Sequence, residues 1–265
     1  MATVNDIAAR LEQIAPLSGA EDWDNVGLLV GERGRVVRRL MTCLTLTPTT
    51  VSEALDERAE LVVVHHPIPF RPLSRLTTDT TTGRLLWQLI GAGISVYSAH
   101  TAFDSAGEGI NEQWAAGLGL TAVEPLVAAE STGRETFHGA GRCGELPSPR
   151  LLAKLAEQVK ALLSLDRVRV VGDDAHPVRR VALACGSGGS FLEAAQSKAC
   201  DCLITGETNF HTCLEAEANR IGLILCGHFA SEHFAMLRLA DVLAECFPDV
   251  TVWGSRRECD PIREL

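Results

Sequence analysis

The apolar run Val62-Val63-Val64 ends on two adjacent histidines, His65 and His66, and the chain later supplies His100-x-x-x-Asp104 and His228-x-x-x-Glu232. Imidazole nitrogens combined with carboxylate oxygens form a ligand set for Zn, Mn, Fe or a similar divalent ion, and no paired-thiolate spacing of a structural zinc knuckle accompanies them. Such a mixed set leans towards catalysis. Neighbours on an extended chain point to opposite sides, so His65 and His66 serve one ion only if the chain turns, and two ions remove the difficulty. In that reading Asp104 stands near one histidine, His228 near the other and Glu232 between them. The dications then outweigh the two carboxylates, and the residual positive charge favours hydroxide and an anionic substrate. His228 and Glu232, four apart, share one face of a helix if the helix starts at His228.

Each motif also has a plain explanation: a strand-end turn for His65-His66, and a solvated helix face for His228 with Glu232. What favours the metal reading is that the clusters follow apolar strands, at the carboxyl edge where open α/β sheets hold ligands. Around them, Val181–Ser190 reads as a strand, a glycine-rich turn and a helix start. That turn either cradles a phosphate on backbone N–H groups or is a tight connection, and it lacks the lysine of a P-loop. Thr205-Gly206-Glu207 with His211 follows another strand, so Glu207 and His211 are candidates for acid/base work or for orienting a ligand, with helix capping as the alternative. Asp24 and Asn25, beside Trp23, line the pocket or form an Asx turn. Cys185 and Cys226 end strands among apolar neighbours, which raises a thiol pKa and disfavours a cysteine nucleophile.

The elements that position these groups alternate. Helices are expected at Val4–Ala15, Thr49–Glu60, Leu85–Gly91, Asn111–Leu118, Leu151–Leu163, Phe191–Lys198, His211–Ala218 and Ser231–Phe247. Strands are expected at Leu28–Val30, Arg38–Leu46, Leu61–Val64, Ile94–Ala99, Val168–Val171, Val181–Cys185, Cys202–Thr205, Ile221–Cys226 and Val250–Trp253. The stretch Thr121–Pro149, richer in Gly, Pro and polar residues, marks the softest boundary. Alternation throughout implies layered α/β architecture, and no 20- to 50-residue repeat is visible.

Of the 265 residues 46% are apolar and 22% charged, enough for one large domain or two small ones. A net charge of −10 argues against a broad nucleic-acid or anionic-membrane surface. No apolar run approaches the roughly 18 residues of a membrane span and no signal peptide opens the chain, so a cytoplasmic protein is expected. The nine cysteines are scattered without a Cys-x-x-Cys pair, and most read as reduced, buried small hydrophobes.

Seven segments together resemble a dinuclear-metal family named both GTP cyclohydrolase I type 2 and NIF-three-like. They are Asp22-Trp23-Asp24-Asn25-Val26-Gly27-Leu28, His65-His66-Pro67 with Phe70, Ser98-Ala99-His100-Thr101 with Asp104, Gly109-Ile110-Asn111, Gly186-Ser187-Gly188, Thr205-Gly206-Glu207 with His211, and Gly227-His228-Phe229-Ala230-Ser231-Glu232. The resemblance implies two intertwined α/β domains with mixed central sheets flanked by helices, placed at 1–125 and 126–265. It also implies two divalent metal ions per chain, with His65 and His228 on one, His66 and Asp104 on the other, and Glu232 bridging. Family members resemble ring-shaped homohexamers, and the inserted domain of longer members is not expected in a chain this short. Thr45 stands where the family pattern leads one to expect an acidic residue. The function expected is a metal-dependent hydrolase acting on a small anionic, nucleotide-like or phosphate-bearing substrate. A non-catalytic metal-binding adaptor is the competing reading, since the family's names cover both.

Overall fold

A computed structural model of the chain describes residues 1–128 and 139–263. In chain order its elements are α1 (Val4–Ile14), β1 (Gly27–Val30), β2 (Arg39–Cys43), α2 (Pro48–Asp56), β3 (Leu61–Val64), α3 (Thr81–Gly91), β4 (Ser95–Ser98) and α4 (His100–Ser105). There follow α5 (Ile110–Leu118), β5 (Thr121–Glu124), β6 (Val127–Ala128), β7 (Gly139–Ala140), β8 (Arg142–Leu151), α6 (Leu152–Leu163) and β9 (Arg169–Val171). The remainder is β10 (Pro177–Ala184), α7 (Leu192–Ser197), β11 (Cys202–Thr205), α8 (Phe210–Ala218), β12 (Gly222–Leu225), α9 (His228–Cys246) and β13 (Thr251–Gly254). The architecture is α/β, as expected, with two mixed sheets among the described residues.

Two compact units divide the chain. One comprises Met1–Phe103 with His233–Leu265, the other Asp104–Glu232. This division differs from the expected halves at 1–125 and 126–265. Helix α5 packs against β8 and α6 and so goes with the second unit, whereas β13 pairs with β2 and returns the chain's end to the first. Both passages fall inside helices, α4 and α9.

In the first unit α1 forms because Val4, Ile7, Ala8, Leu11 and Ile14 make one buried stripe, and Thr3 and Asp6 close a reciprocal capping box at its start. The five-stranded sheet runs β1-β4-β3-β2-β13, parallel except for the β1–β4 pair. All four residues of β3 are buried, which is why that strand reads as an unbroken β-branched run. Its register pairs Val64 with Ser98, so β3 and β4 end in step. The ladder continues past β3: His65 N–H donates to Cys43 O at 3.1 Å and His66 N–H to Leu44 O at 2.9 Å.

Glu53, on the buried side of α2, locks the chain end to this unit. Its carboxylate accepts from Trp253 Nε1 (3.3 Å), Ser255 Oγ (2.6 Å), Arg256 N (2.9 Å) and Arg257 N (3.0 Å). Burial alone raises its pKa, but these donors outweigh burial and hold it below the ordinary glutamate value. A depressed carboxylate contributes stability that is complete above its unfolded pKa and lost as pH falls through the folded one. Glu53→Gln is therefore expected to lower unfolding free energy by on the order of 2–3 kcal/mol at pH 7. In urea titrations the gap between variant and wild type should narrow below about pH 4; a gap independent of pH would contradict the charge assignment.

The second unit holds a six-stranded sheet ordered β5-β8-β10-β11-β12-β9, in which β10, β11 and β12 run parallel and the other pairings are antiparallel. Its core gathers Ala182, Ala184, Leu203, Leu223 and Leu225 beneath Leu192 and Ala216. The stretch expected to be a polar boundary contains most of the ten-residue β8, and residues 129–138 of that stretch lie outside those described. Pro147 and Pro149 hide this strand from a propensity reading. The β8–β10 register shifts between Val178 and Arg180, accommodating the interruption.

Smaller differences have local causes. Thr47 caps α2 and Pro48 occupies its first turn, so that helix starts earlier than expected and stops at Asp56, just before Arg58 takes a φ of 53°. Thr80 caps α3 and accepts from Gly83 N, adding a turn ahead of Leu85.

Candidate metal centre

In the first unit the in-step ends of β3 and β4 release three histidines together. Ring centroids of His65 and His66 lie 5.1 Å apart, those of His65 and His100 5.1 Å, and those of His66 and His100 5.7 Å. One nitrogen of each ring lies within 4.8 Å of the other two, a spacing that suits one cation. His65 is 1% exposed, and its backbone carbonyl accepts from Ser98 Oγ at 2.6 Å, which fixes the strand end.

His100 opens α4 at a φ of 31°, a left-handed conformation that costs a non-glycine residue about 1–3 kcal/mol. Asp24 holds it there. The Asp24 carboxylate can only accept, so Nδ1–H of His100 is the donor at 2.8 Å, and a neutral ring then carries its lone pair on Nε2. Thr101 adds its backbone N–H at 3.1 Å and its hydroxyl at 2.5 Å. Burial pushes the Asp24 pKa up, yet the hydrogen bonds from His100 and Thr101 prevail and bring it to about 2. Asn25 Nδ2 donates to Pro69 O at 2.7 Å, tying this loop to the segment after His66. Trp23 and Phe70, both exposed, place their rings 6.1 and 6.2 Å from that of His100.

Thr45, at the position where an acidic residue was expected, brings its hydroxyl to 2.7 Å from Nδ1 of His66.

In the second unit α9 begins at His228 immediately after β12 and Gly227, whose φ is 92°. The four-residue spacing sets Glu232 Oε2 3.2 Å from His228 Nε2, while Glu207 Oε1 lies 2.9 Å from Nδ1 of the same ring. The hydrogen bond to Glu232, with help from Glu207 and against burial, raises the His228 pKa to about 9. A carboxylate, an imidazole and a second, buried carboxylate in line are the arrangement in which a histidine ligand is oriented by one acid and shares a cation with the other. Asp104 Oδ1 accepts from Cys185 Sγ at 3.1 Å, and Asn111 ties the two residues by donating to Asp104 O and accepting from Cys185 N.

The glycine-rich turn serves this group. A Cβ on Gly186, where φ is 60°, would collide with Glu232 Oε1 and come within 3.3 Å of His228 Nε2, so only glycine lets the turn pass this close. Two of the turn's N–H groups are engaged by hydroxyls: Gly186 N donates to Ser231 Oγ at 2.9 Å and Gly188 N to Thr205 Oγ1 at 3.0 Å. Of the two readings of this segment, the tight connection is the one the bonding supports.

Of the sequence candidates, the structure brings His65 and His66 together in one unit and Asp104, His228, Glu232 and Glu207 into the other. His100 joins the first trio although the reading had favoured Asp104 from that motif; its place one residue past a strand end was the available signal. His211 is exposed on α8, with its ring contact to Phe210. Burial pushes the Cys185 thiol well up and the Cys226 thiol to about 12.

Fold and side chains together define an α/β protein with histidine and carboxylate clusters at the ends of its strands. The chain matches the Duf34/NIF3 (NGG1p interacting factor 3) family over residues 2–261, and it belongs to that family. It is 36% identical over 229 residues to a GTP cyclohydrolase 1 type 2 homolog of Clostridium acetobutylicum, covering 86% of this chain and 85% of that protein. It is 31% identical to NIF3-like protein 1 of Drosophila melanogaster over 97% of this chain and 87% of the other. A Bacillus cereus protein related to NIF3 superposes with a TM-score of 0.90 at 22% identity, covering 100% and 99% of the two chains, which shows a shared fold.

Proposed function

We propose that this chain is a divalent-metal protein that carries two ions and hydrolyses a nucleotide-like or phosphate-bearing substrate. The observation that carries the reading is the convergence of three imidazoles in the first unit, one of them set by Asp24 with its lone pair on Nε2. The donor chemistry fits borderline divalent ions such as Zn, Mn or Fe, which imidazole and carboxylate accept. His65 and His66 hold metal from the first unit; Asp104, His228 and Glu232 are the proposed ligands of the second. A bound divalent ion supplies Lewis acidity and lowers the pKa of a coordinated water. Glu207 keeps His228 oriented through Nδ1, and Glu207 and His211 are the proposed groups for moving protons. Trp23 and Phe70 offer a planar ring an aromatic wall beside His100. The name of the Clostridium acetobutylicum relative supports the cyclohydrolase direction, and a homohexameric ring belongs to the same proposal.

Elemental analysis of purified chain, followed by a nucleotide panel with and without chelator, tests it. Two ions per chain and turnover lost to the chelator are the expected results. Full metal loading without turnover of any nucleotide would overturn the hydrolase reading in favour of an adaptor, and absence of stoichiometric metal would remove both. No helix among the described residues is long and apolar enough to cross a membrane.

A further inference from the structure

Behind the ring of His66 lies a chain of contacts that leads to Glu258, near the other end of the numbering. The Thr45 hydroxyl meets Nδ1 of His66 at 2.7 Å, in the turn between β2 and α2. The backbone of that turn is held from two sides. Leu44 O accepts from His66 N at 2.9 Å, while the N–H groups of Leu44 and Thr45 donate to the two oxygens of one carboxylate, Glu258, at 2.8 and 2.7 Å.

Glu258 has a side chain only 4% exposed, and its Oε2 lies 3.8 Å from His233 Nε2. It is delivered there by the segment Glu53 fastens: Glu258 N donates to Ser255 Oγ, whose own hydroxyl donates to Glu53. Two backbone amides could be satisfied by any neutral acceptor. A buried carboxylate is costly in that role unless positive charge stands near. His233 offers such charge only when protonated; on the proposed function the cation held by His66 is a permanent source.

We propose that Glu258 and Thr45 form a two-step positioning device for the metal ligand His66, with Glu258 fixing the turn and supplying the negative charge that a carboxylate on the imidazole would otherwise supply directly. The inference rests on the metal reading above. Thr45 accepts the Nδ1 proton of His66 and so directs Nε2 to the cation, while Glu258 clamps the two amides that set where Thr45 stands. Neither residue touches the metal; both act through His66.

The test measures Zn affinity of the full chain by competition with a chromogenic chelator, beside the thermal midpoint of the metal-free protein. Thr45→Val and Glu258→Gln are each expected to weaken Zn binding about 10- to 100-fold. Thr45→Ser is expected to restore wild-type affinity. The double variant Thr45→Val with Glu258→Gln should lose less than the sum of the two single losses, because Glu258 acts in part by placing Thr45. Unchanged Zn affinity in Thr45→Val, no rescue by Thr45→Ser, or additive losses in the double variant would each overturn the proposal. So would a Glu258→Gln variant whose thermal midpoint falls while its Zn affinity stays. A wild-type chain that binds no Zn overturns the proposed function itself, a result distinct from bound Zn that ignores the variants.

Discussion

Alanine at position 65 is expected to weaken zinc binding about 100-fold or more, the share of one ligand in a site whose total binding free energy is roughly 10–16 kcal/mol. His65 is the most buried of the three clustered imidazoles, so no neighbouring side chain of the surface can swing in to replace it. Its nitrogens stand within 4.8 Å of those of His66 and His100, and its removal leaves two imidazoles where three met. Isothermal titration should show the loss, and zinc should cease to raise the thermal midpoint. His211→Ala is the matched control, since that residue is exposed on α8; its metal content should equal wild type. Wild-type metal content in His65→Ala would sink the site assignment.

Arg142→Met is expected to cost about 3–5 kcal/mol of unfolding free energy, because it strips the donor from several backbone carbonyls, each unmet buried acceptor costing about 1–3 kcal/mol. The guanidinium, 2% exposed, donates Nε–H to Glu112 at 2.7 Å. Its other nitrogens donate to the carbonyls of Gly139 (2.8 Å), Gly141 (2.8 Å), Ser105 (3.0 Å) and Ala106 (2.9 Å). Ser105 ends α4, so the arginine satisfies carbonyls that a helix terminus leaves without an internal partner. Lysine cannot reproduce a planar fork with five N–H groups, so Arg142→Lys should recover less than half of the loss. Urea unfolding followed by circular dichroism measures both. A Met variant within about 1 kcal/mol of wild type would show that the carbonyls find other donors.

How much of this was legible beforehand depended on distance along the chain. His65 and His66 were readable because a fully buried parallel strand leaves an unbroken apolar signature and the histidines follow at once. His228 and Glu232 were readable because four residues span one helical turn. His100 had only its place after a strand to announce it, since nothing in the local pattern signals a left-handed residue held by Asp24. The strand β8 was missed because its two prolines mimic a linker, and the burial of Arg142 within it follows from carbonyls contributed by distant turns. Glu53 and Glu258 carry no local signal at all: their donors lie about 200 residues away, and only the folded chain joins them. The return of β13 to β2 has no local signal for the same reason, since that pairing is a long-range event.

That pairing orders events on the ribosome. A nascent chain that has reached residue 250 already contains every strand of the six-stranded sheet, but only four of the five strands of the other. The second unit can therefore complete its backbone ladder while the first still has an open edge at β2, a row of unmet amides and carbonyls that chaperones or a neighbouring polysome chain can seize. Residues 251–257 close that edge and bring Glu53 its donors, so a chain halted before them carries one finished sheet and one adhesive one.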